Sequence, residues 1–189
     1  MTKKKQLEQI TADILACKIC NRLKKGLLVT GEGSYKADVV FVGEAPGKEE
    51  ILTGKPFIGR AGKILRELIL SVGLKAEDVF ITSAVKYLPK TYITPKPSDI
   101  IHGQKHLQKQ LDAIKPQIIV VLGNTAAQSL FNEKYSISQT HGTTLKQNGY
   151  TYFLSYHPAA PLYSPKLREV IFKDFKKLKR LLTKPELKK

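Results

Sequence analysis

Four short and nearly unbroken apolar runs divide the chain: Val39-Val40-Phe41-Val42, Val79 to Val85, Ile118-Ile119-Val120-Val121-Leu122 and Tyr150 to Ser155. Runs of this length without alternation are the pattern of strands buried on both faces. Between them the apolar positions fall at helical spacing. Leu7, Ile10, Ile14 and Leu15 mark an amphipathic helix over residues 4–16, and a second follows the first strand, ending at Gly73. Ser98 and Asp99 begin a third that reaches Ala113, with Ile100, Leu107 and Leu111 along it. Thr125–Phe131 and Ser164–Leu182 complete the set, and the polar stretches around residues 27–38 and 135–149 read as loops. A helix followed by four strand–helix units predicts an α/β fold, a three-layer α/β/α sandwich around a central, mostly parallel, four-stranded sheet. Residues 1–182 form one domain in this reading, and 183–189 a basic tail.

In such a sheet ligands bind beyond the C-terminal ends of the strands. The first strand ends in Gly43-Glu44-Ala45-Pro46-Gly47, a stiff turn carrying a carboxylate and exposed backbone N–H groups. Glu49 and Glu50 follow, and then Phe57 between the turn formers Pro56 and Gly59. The other strands end at Ser83, Asn124 and His157. Glu44, Ser83, Asn124 and His157 are therefore expected to face one crevice, with Phe57 above it. A histidine held on the stiff backbone before Pro158 can donate a hydrogen bond to a developing anion or move a proton. The commoner roles of these pieces, a turn after a strand and a structural histidine, are weighed against the coincidence of four strand ends. There is no G-x-G-x-x-G and no P-loop, since Phe57 and Ile64 stand where Gly and Ser/Thr are required, and no nucleophile elbow.

Charge narrows the partner. The 189 residues hold 32 Lys plus Arg against 16 Asp plus Glu, a net +16. A chain this basic is suited to polyanions, nucleic acid first among them. The alternative is a solvated basic surface, but lysines also fall in the stretches 48–63 and 86–96 beside the expected crevice. No apolar run approaches membrane-spanning length and no secretory signal opens the chain, so a cytoplasmic location without membrane association is expected. The two cysteines form Cys17-Lys18-Ile19-Cys20 at the end of the first helix. That spacing suits half of a metal site, a redox pair, or two buried thiols. His102 and His106 share a helix face at i, i+4 and would complete a Cys2His2 set, although two histidines on a solvated face are the commoner occurrence.

Taken together, Gly43–Gly47, Glu50, Thr53-Gly54-Lys55-Pro56-Phe57-Ile58-Gly59-Arg60-Ala61-Gly62 and His157-Pro158-Ala159-Ala160 resemble the signatures of the family-4 uracil-DNA glycosylases, over about Leu15 to Leu182. The resemblance implies a monofunctional DNA glycosylase that removes uracil, or a related deaminated base, from DNA by hydrolysing the N-glycosidic bond in base excision repair. It implies catalytic roles for Glu44, Glu50 and His157, and base binding by Gly43, Ala45, Pro46, Gly47, Phe57 and Ser83. A monomer acting on DNA with a deaminated base is expected. The alternative it leaves is a glycosylase-fold protein that binds DNA with weak or no cleavage. Departures accompany the matches. Ser83 stands where the family usually has Asn, Ile51 where it has an acid, and Leu88 and Tyr92 where it has Arg and Asn. The family's [4Fe–4S] cluster has four cysteines. Cys17 and Cys20 match two of them, whereas Tyr87 and Gly103 occupy the other two positions, so the resemblance implies a metal site with two ligands missing.

Overall fold

The computed structural model of the chain describes residues 1–90 and 94–183. Tyr92 and all but the first residue of the expected basic tail lie outside the described residues. The chain opens with helices α1 (Lys3–Ala16) and α2 (Lys18–Leu23), then the short strands β1 (Lys24–Lys25) and β2 (Glu32–Gly33). Strand β3 (Val39–Gly43) leads through the short helix α3 (Glu50–Thr53) to α4 (Arg60–Ser71). Next come β4 (Phe80–Ser83), β5 (Leu88–Pro89), α5 (Pro97–Ile114), β6 (Ile118–Leu122) and α6 (Asn124–Phe131). The chain ends with α7 (Ile137–Thr140), β7 (Thr144–Gln147), β8 (Tyr150–Ser155), α8 (Ala160–Tyr163) and α9 (Lys166–Leu182).

The main sheet has six strands in the order β2-β4-β3-β6-β8-β7. Its four inner strands are parallel and are the four apolar runs of the sequence. The expected count of four is corrected by two antiparallel edge strands, β2 against β4 and β7 against β8. Both edges are short and largely exposed, so they lack the apolar signal that reveals a buried strand. β1 and β5 pair antiparallel in a separate two-stranded ribbon.

Side-chain alternation explains why the inner runs are apolar throughout. Val39 and Phe41 point to one face, where they pack with Leu65 and Leu68 of α4 and with Phe175 and Leu178 of α9. Val40 and Val42 point to the other, against Leu107 and Leu111 of α5 and Ala126 of α6. Each run thus sits between two helical layers. α1 lies on α5, with Ile10 and Ile14 in a third cluster that includes Val85, Tyr87, Ile100 and Ala113. Among the described residues no helix is long and apolar enough to cross a membrane.

The strand order places the site. From β3 the chain crosses to β4 on one side, and β6 then pairs on the other side of β3. The connections therefore diverge between β3 and β6, and a crevice opens at their C-terminal ends. Glu44 follows β3 and Gly123 follows β6 at this point.

Candidate active site

A cleft of about 510 Å³ occupies the crevice, lined by Glu44, Ala45, Pro46, Gly47, Glu50, Phe57, Ser83 and His157 among others. The expected candidates thus meet in one place, with Gly43 beneath the Phe57 ring. Asn124 does not join them. It is the first residue of α6, and its Oδ1 accepts from the Ile137 N–H at 2.9 Å, tying α6 to α7. A larger groove of about 810 Å³ near Tyr150 and Asp112 brings none of the candidates together.

Glu50 is the hub of the first loop. Only 9% exposed, its carboxylate accepts three backbone N–H groups: Gly47 on Oε2 at 3.0 Å, and Ile58 and Gly59 on Oε1 at 2.9 Å each. One side chain therefore closes the turn after β3 onto the Phe57 loop. Glu44 is oriented differently. The Thr125 hydroxyl, from the first turn of α6, donates to its Oε2 at 2.5 Å across the switch point. The rest of this half-buried side chain lies along the cleft.

Phe57 has a backbone φ of +52°, a region that bulky residues rarely adopt. Its ring reaches back over Gly43, where a β-carbon would run into it. That close approach is the physical reason for glycine at the end of β3. The ring also lies 5.7 Å from the His157 imidazole, centroid to centroid, tilted by 32°. The Nδ1 atom of His157 accepts the Ala159 N–H at 3.1 Å. In the neutral ring the proton then sits on Nε2, the nitrogen that faces Gly43. Burial pulls the His157 pKa down to about 4, only partly opposed by the Glu50 charge, so the ring is a neutral donor at physiological pH.

Ser83 is buried, and its hydroxyl donates to the Val85 carbonyl at 2.7 Å, leaving its lone pairs as acceptors. Of the departures from the family pattern, Ile51 and Leu88 are both buried. Lys86, counted in the sequence among the lysines flanking the crevice, is instead fully enclosed. Its ammonium donates to Thr82 Oγ1 (2.7 Å), the Ser83 carbonyl (2.6 Å) and Gln110 Oε1 (2.8 Å). Burial pulls its pKa down to about 7, partly opposed by the Cys20 charge. It anchors the end of β4 and does not reach solvent. Lys48, Lys90 and Lys96 are exposed along this side of the molecule. Two residues of the site had no signal in the sequence: Thr125, which holds Glu44 from behind, and Tyr163, 88% exposed at the cleft margin.

The expectation of a metal site missing two ligands is corrected. Cys17, Cys20, His102 and His106 form a four-donor group whose ligand atoms all lie within 4.8 Å of one another and that is able to hold a metal. His102 Nε2 is 3.3 Å from each sulfur, and His106 Nε2 is 3.7 Å from Cys20 Sγ. His106 is 9% exposed and His102 half-buried, so the reading of two histidines on a solvated face fails. The positions expected of cluster cysteines are otherwise used. The Tyr87 hydroxyl donates to Asp99 Oδ1 at 2.6 Å. At Gly103 a β-carbon would run into the Ala84 carbonyl oxygen, so this helix packs too closely on the end of β4 to carry a cysteine there. A four-thiolate cluster does not fit these residues.

Comparison with known proteins agrees with this geometry. The profile of the Uracil DNA glycosylase superfamily matches residues 30–182. The type-4 uracil-DNA glycosylase of Archaeoglobus fulgidus is 42% identical over 95% of both chains. That of Saccharolobus solfataricus is 40% identical over 94% of this chain and 87% of its own, and that of Thermotoga maritima 35% over 97% and 98%. The chain belongs to the uracil-DNA glycosylase superfamily, within its type-4 group.

Proposed function

We propose that this protein excises uracil from DNA by hydrolysing the N-glycosidic bond, the first step of base excision repair. The observation that carries the reading is the convergence of the Glu44 carboxylate, the Phe57 ring and the His157 Nε2–H in one cleft at the sheet's switch point. The target atom is out of reach inside a duplex, so the nucleotide must flip into the cleft. Phe57, held in a strained conformation by the Glu50 clamp, gives the base a fixed stacking face.

As the C1′–N1 bond breaks, the electron pair stays with the base and negative charge spreads over its ring nitrogen and carbonyl oxygen. The His157 Nε2–H donates to that developing oxyanion. Nothing need reorganise, because the tautomer is already set by the Ala159 N–H. Glu44, fixed by Thr125, orients the water that adds to C1′ and takes its proton. Glu50 has three backbone donors to satisfy, and its role is to shape the pocket and not to act on water. Gly43, Ala45, Pro46 and Gly47 bring backbone close to the base. Ser83 Oγ, its own proton committed to Val85, accepts from the N3–H that uracil has and cytosine lacks. Tyr163 is placed to fill the space the flipped base leaves, as apolar wedges do elsewhere. The exposed lysines hold phosphates, and the protein works as a monomer.

A second reading rests on that same serine. One hydroxyl makes one contact where an amide makes two, which favours a protein that binds DNA and cleaves weakly. Release of base from an oligonucleotide with a single uracil, read as alkali-labile abasic sites, separates the two. Cleavage that is lost in His157→Ala while DNA affinity is kept supports the glycosylase. DNA binding without abasic sites from the unaltered protein refutes it.

A further inference from the structure

The Cys17/Cys20/His102/His106 group takes no part in the proposed chemistry, and its geometry is informative by itself. Two donors come from the junction of α1 and α2. Cys17 both closes α1 and opens α2, and the Asn21 side chain donates to the Leu15 and Cys17 carbonyls, fixing that turn. The other two come from successive turns of one face of α5, some 85 residues later in the chain. Four soft or borderline donors from two remote segments have been brought together inside 4.8 Å without a disulfide.

We infer that Cys17 Sγ, Cys20 Sγ, His102 Nε2 and His106 Nε2 bind one zinc-class divalent ion in tetrahedral coordination, in place of the family's iron–sulfur cluster. With metal–sulfur bonds of about 2.3 Å and metal–nitrogen bonds of about 2.0–2.1 Å, neighbouring S and N atoms of a tetrahedron lie about 3.6 Å apart. The separations of 3.3, 3.3 and 3.7 Å bracket that value. Two thiolates cancel the charge of a divalent ion and two neutral imidazoles complete the shell, the Cys2His2 set of structural zinc sites. The buried Nδ1 of His106 has no hydrogen-bond partner among the described residues. The ring's one polar contact among these residues is through Nε2 to Cys20 Sγ, so its enclosure is tied to the donor group itself.

The cluster alternatives do not fit. A four-iron cluster takes four thiolates, and the cysteines needed at Tyr87 and Gly103 are not there. A two-iron cluster with two cysteines on one iron and two histidines on the other would keep sulfur and nitrogen at opposite ends. Here His102 Nε2 is equally close to both sulfurs. The ion would staple α1 and α2 to the start of α5. The segment entering α5 includes Thr94 and Pro95, which line the cleft, so the staple stiffens one wall of the active site without touching substrate.

The test is elemental analysis of the full chain purified without chelator or affinity-resin metal, with acid-labile sulfide measured on the same sample. One zinc per chain, with iron and sulfide near zero and no broad visible absorbance, is the expected result. Replacement by cobalt(II) should give the intense visible bands of a tetrahedral site and a sulfur-to-metal charge-transfer band. His102→Ala, at a half-buried position, should lose at least tenfold in zinc affinity, and Cys17→Ser likewise. Iron and sulfide in cluster stoichiometry overturn the proposal, as does a folded protein that takes up neither zinc nor cobalt on titration. Should the variants fail to fold, metal content and the cobalt spectrum of the unaltered chain decide the matter.

Discussion

Glu50→Gln tests the division of labour between the two carboxylates. The substitution keeps size and shape, so what changes is charge and one acceptor. Glu50 Oε1 accepts from both Ile58 and Gly59, and Oε2 from Gly47. A glutamine supplies only one oxygen, and whichever way the amide turns, its NH2 group faces a backbone N–H. If the oxygen stays with Ile58 and Gly59, the Gly47 N–H loses its partner, at about 1–3 kcal/mol for an unsatisfied donor. The two bonds that remain lose their charge assistance, which accounts for about 1 kcal/mol each. The sum is roughly 3–5 kcal/mol. For a chain of this size each kcal/mol moves Tm by about 2–4 °C, so the variant should melt roughly 6–20 °C lower. Thermal unfolding followed by circular dichroism reads this directly, and single-turnover uracil release on the same sample gives the catalytic rate. Activity should fall along with stability, because the Phe57 loop loosens. Glu44→Gln is the contrast. Thr125 can donate to the glutamine oxygen as it does to the carboxylate, so stability should shift by about 1 kcal/mol or less while the rate drops by about 10²–10⁴. An unchanged Tm in Glu50→Gln together with a rate loss of that size would refute the reasoning and make Glu50 the group acting on water.

The remaining predictions concern the other parts of the cleft. His157 has a folded pKa of about 4 against about 6.5 unfolded, so between those values the unfolded chain binds more protons. Its contribution to stability is full above pH 6.5 and is lost as pH falls toward 4; the uracil-release rate at saturating substrate should stay level down to about pH 5, and a rise on acidification through pH 6.5 would mean that the imidazolium is the active form. Gly43→Ala drives a β-carbon into the Phe57 ring; overpacking of about 1–3 kcal/mol should appear in the melting curve, with base release slowed at least tenfold and duplex binding nearly intact in a fluorescence-anisotropy titration. Tyr163→Ala removes an exposed side chain and should leave Tm within about 1 °C, yet slow uracil release from duplex more than from single-stranded DNA; equal effects on the two would place Tyr163 outside the flipping step.

The sequence by itself determined the parallel core. Val39–Val42 and Ile118–Leu122 must be hidden on both faces, and only a strand between two helical layers hides every residue of such a run. It also determined where chemistry would gather, since a parallel sheet puts the residues after its strands along one edge, and Glu44, Phe57, Ser83 and His157 do line one cleft. Tertiary structure decided what local pattern does not encode. β2 and β7 are strands only because a neighbour offers its edge, so their polar residues carried no strand signal. Lys86 reads as a surface cation, yet three acceptors drawn from β4 and α5 hold it in the interior. Asn124 follows a strand like the other candidates but turns toward α7. The spacing of His102 and His106 put them on one face of a helix without saying what that face meets. That depended on α1 docking against α5, which brings Cys17 and Cys20 to within 4.8 Å of the two imidazoles. Periodicity fixes which way a side chain points relative to its own element, and only the packing of elements remote in sequence fixes what it points at.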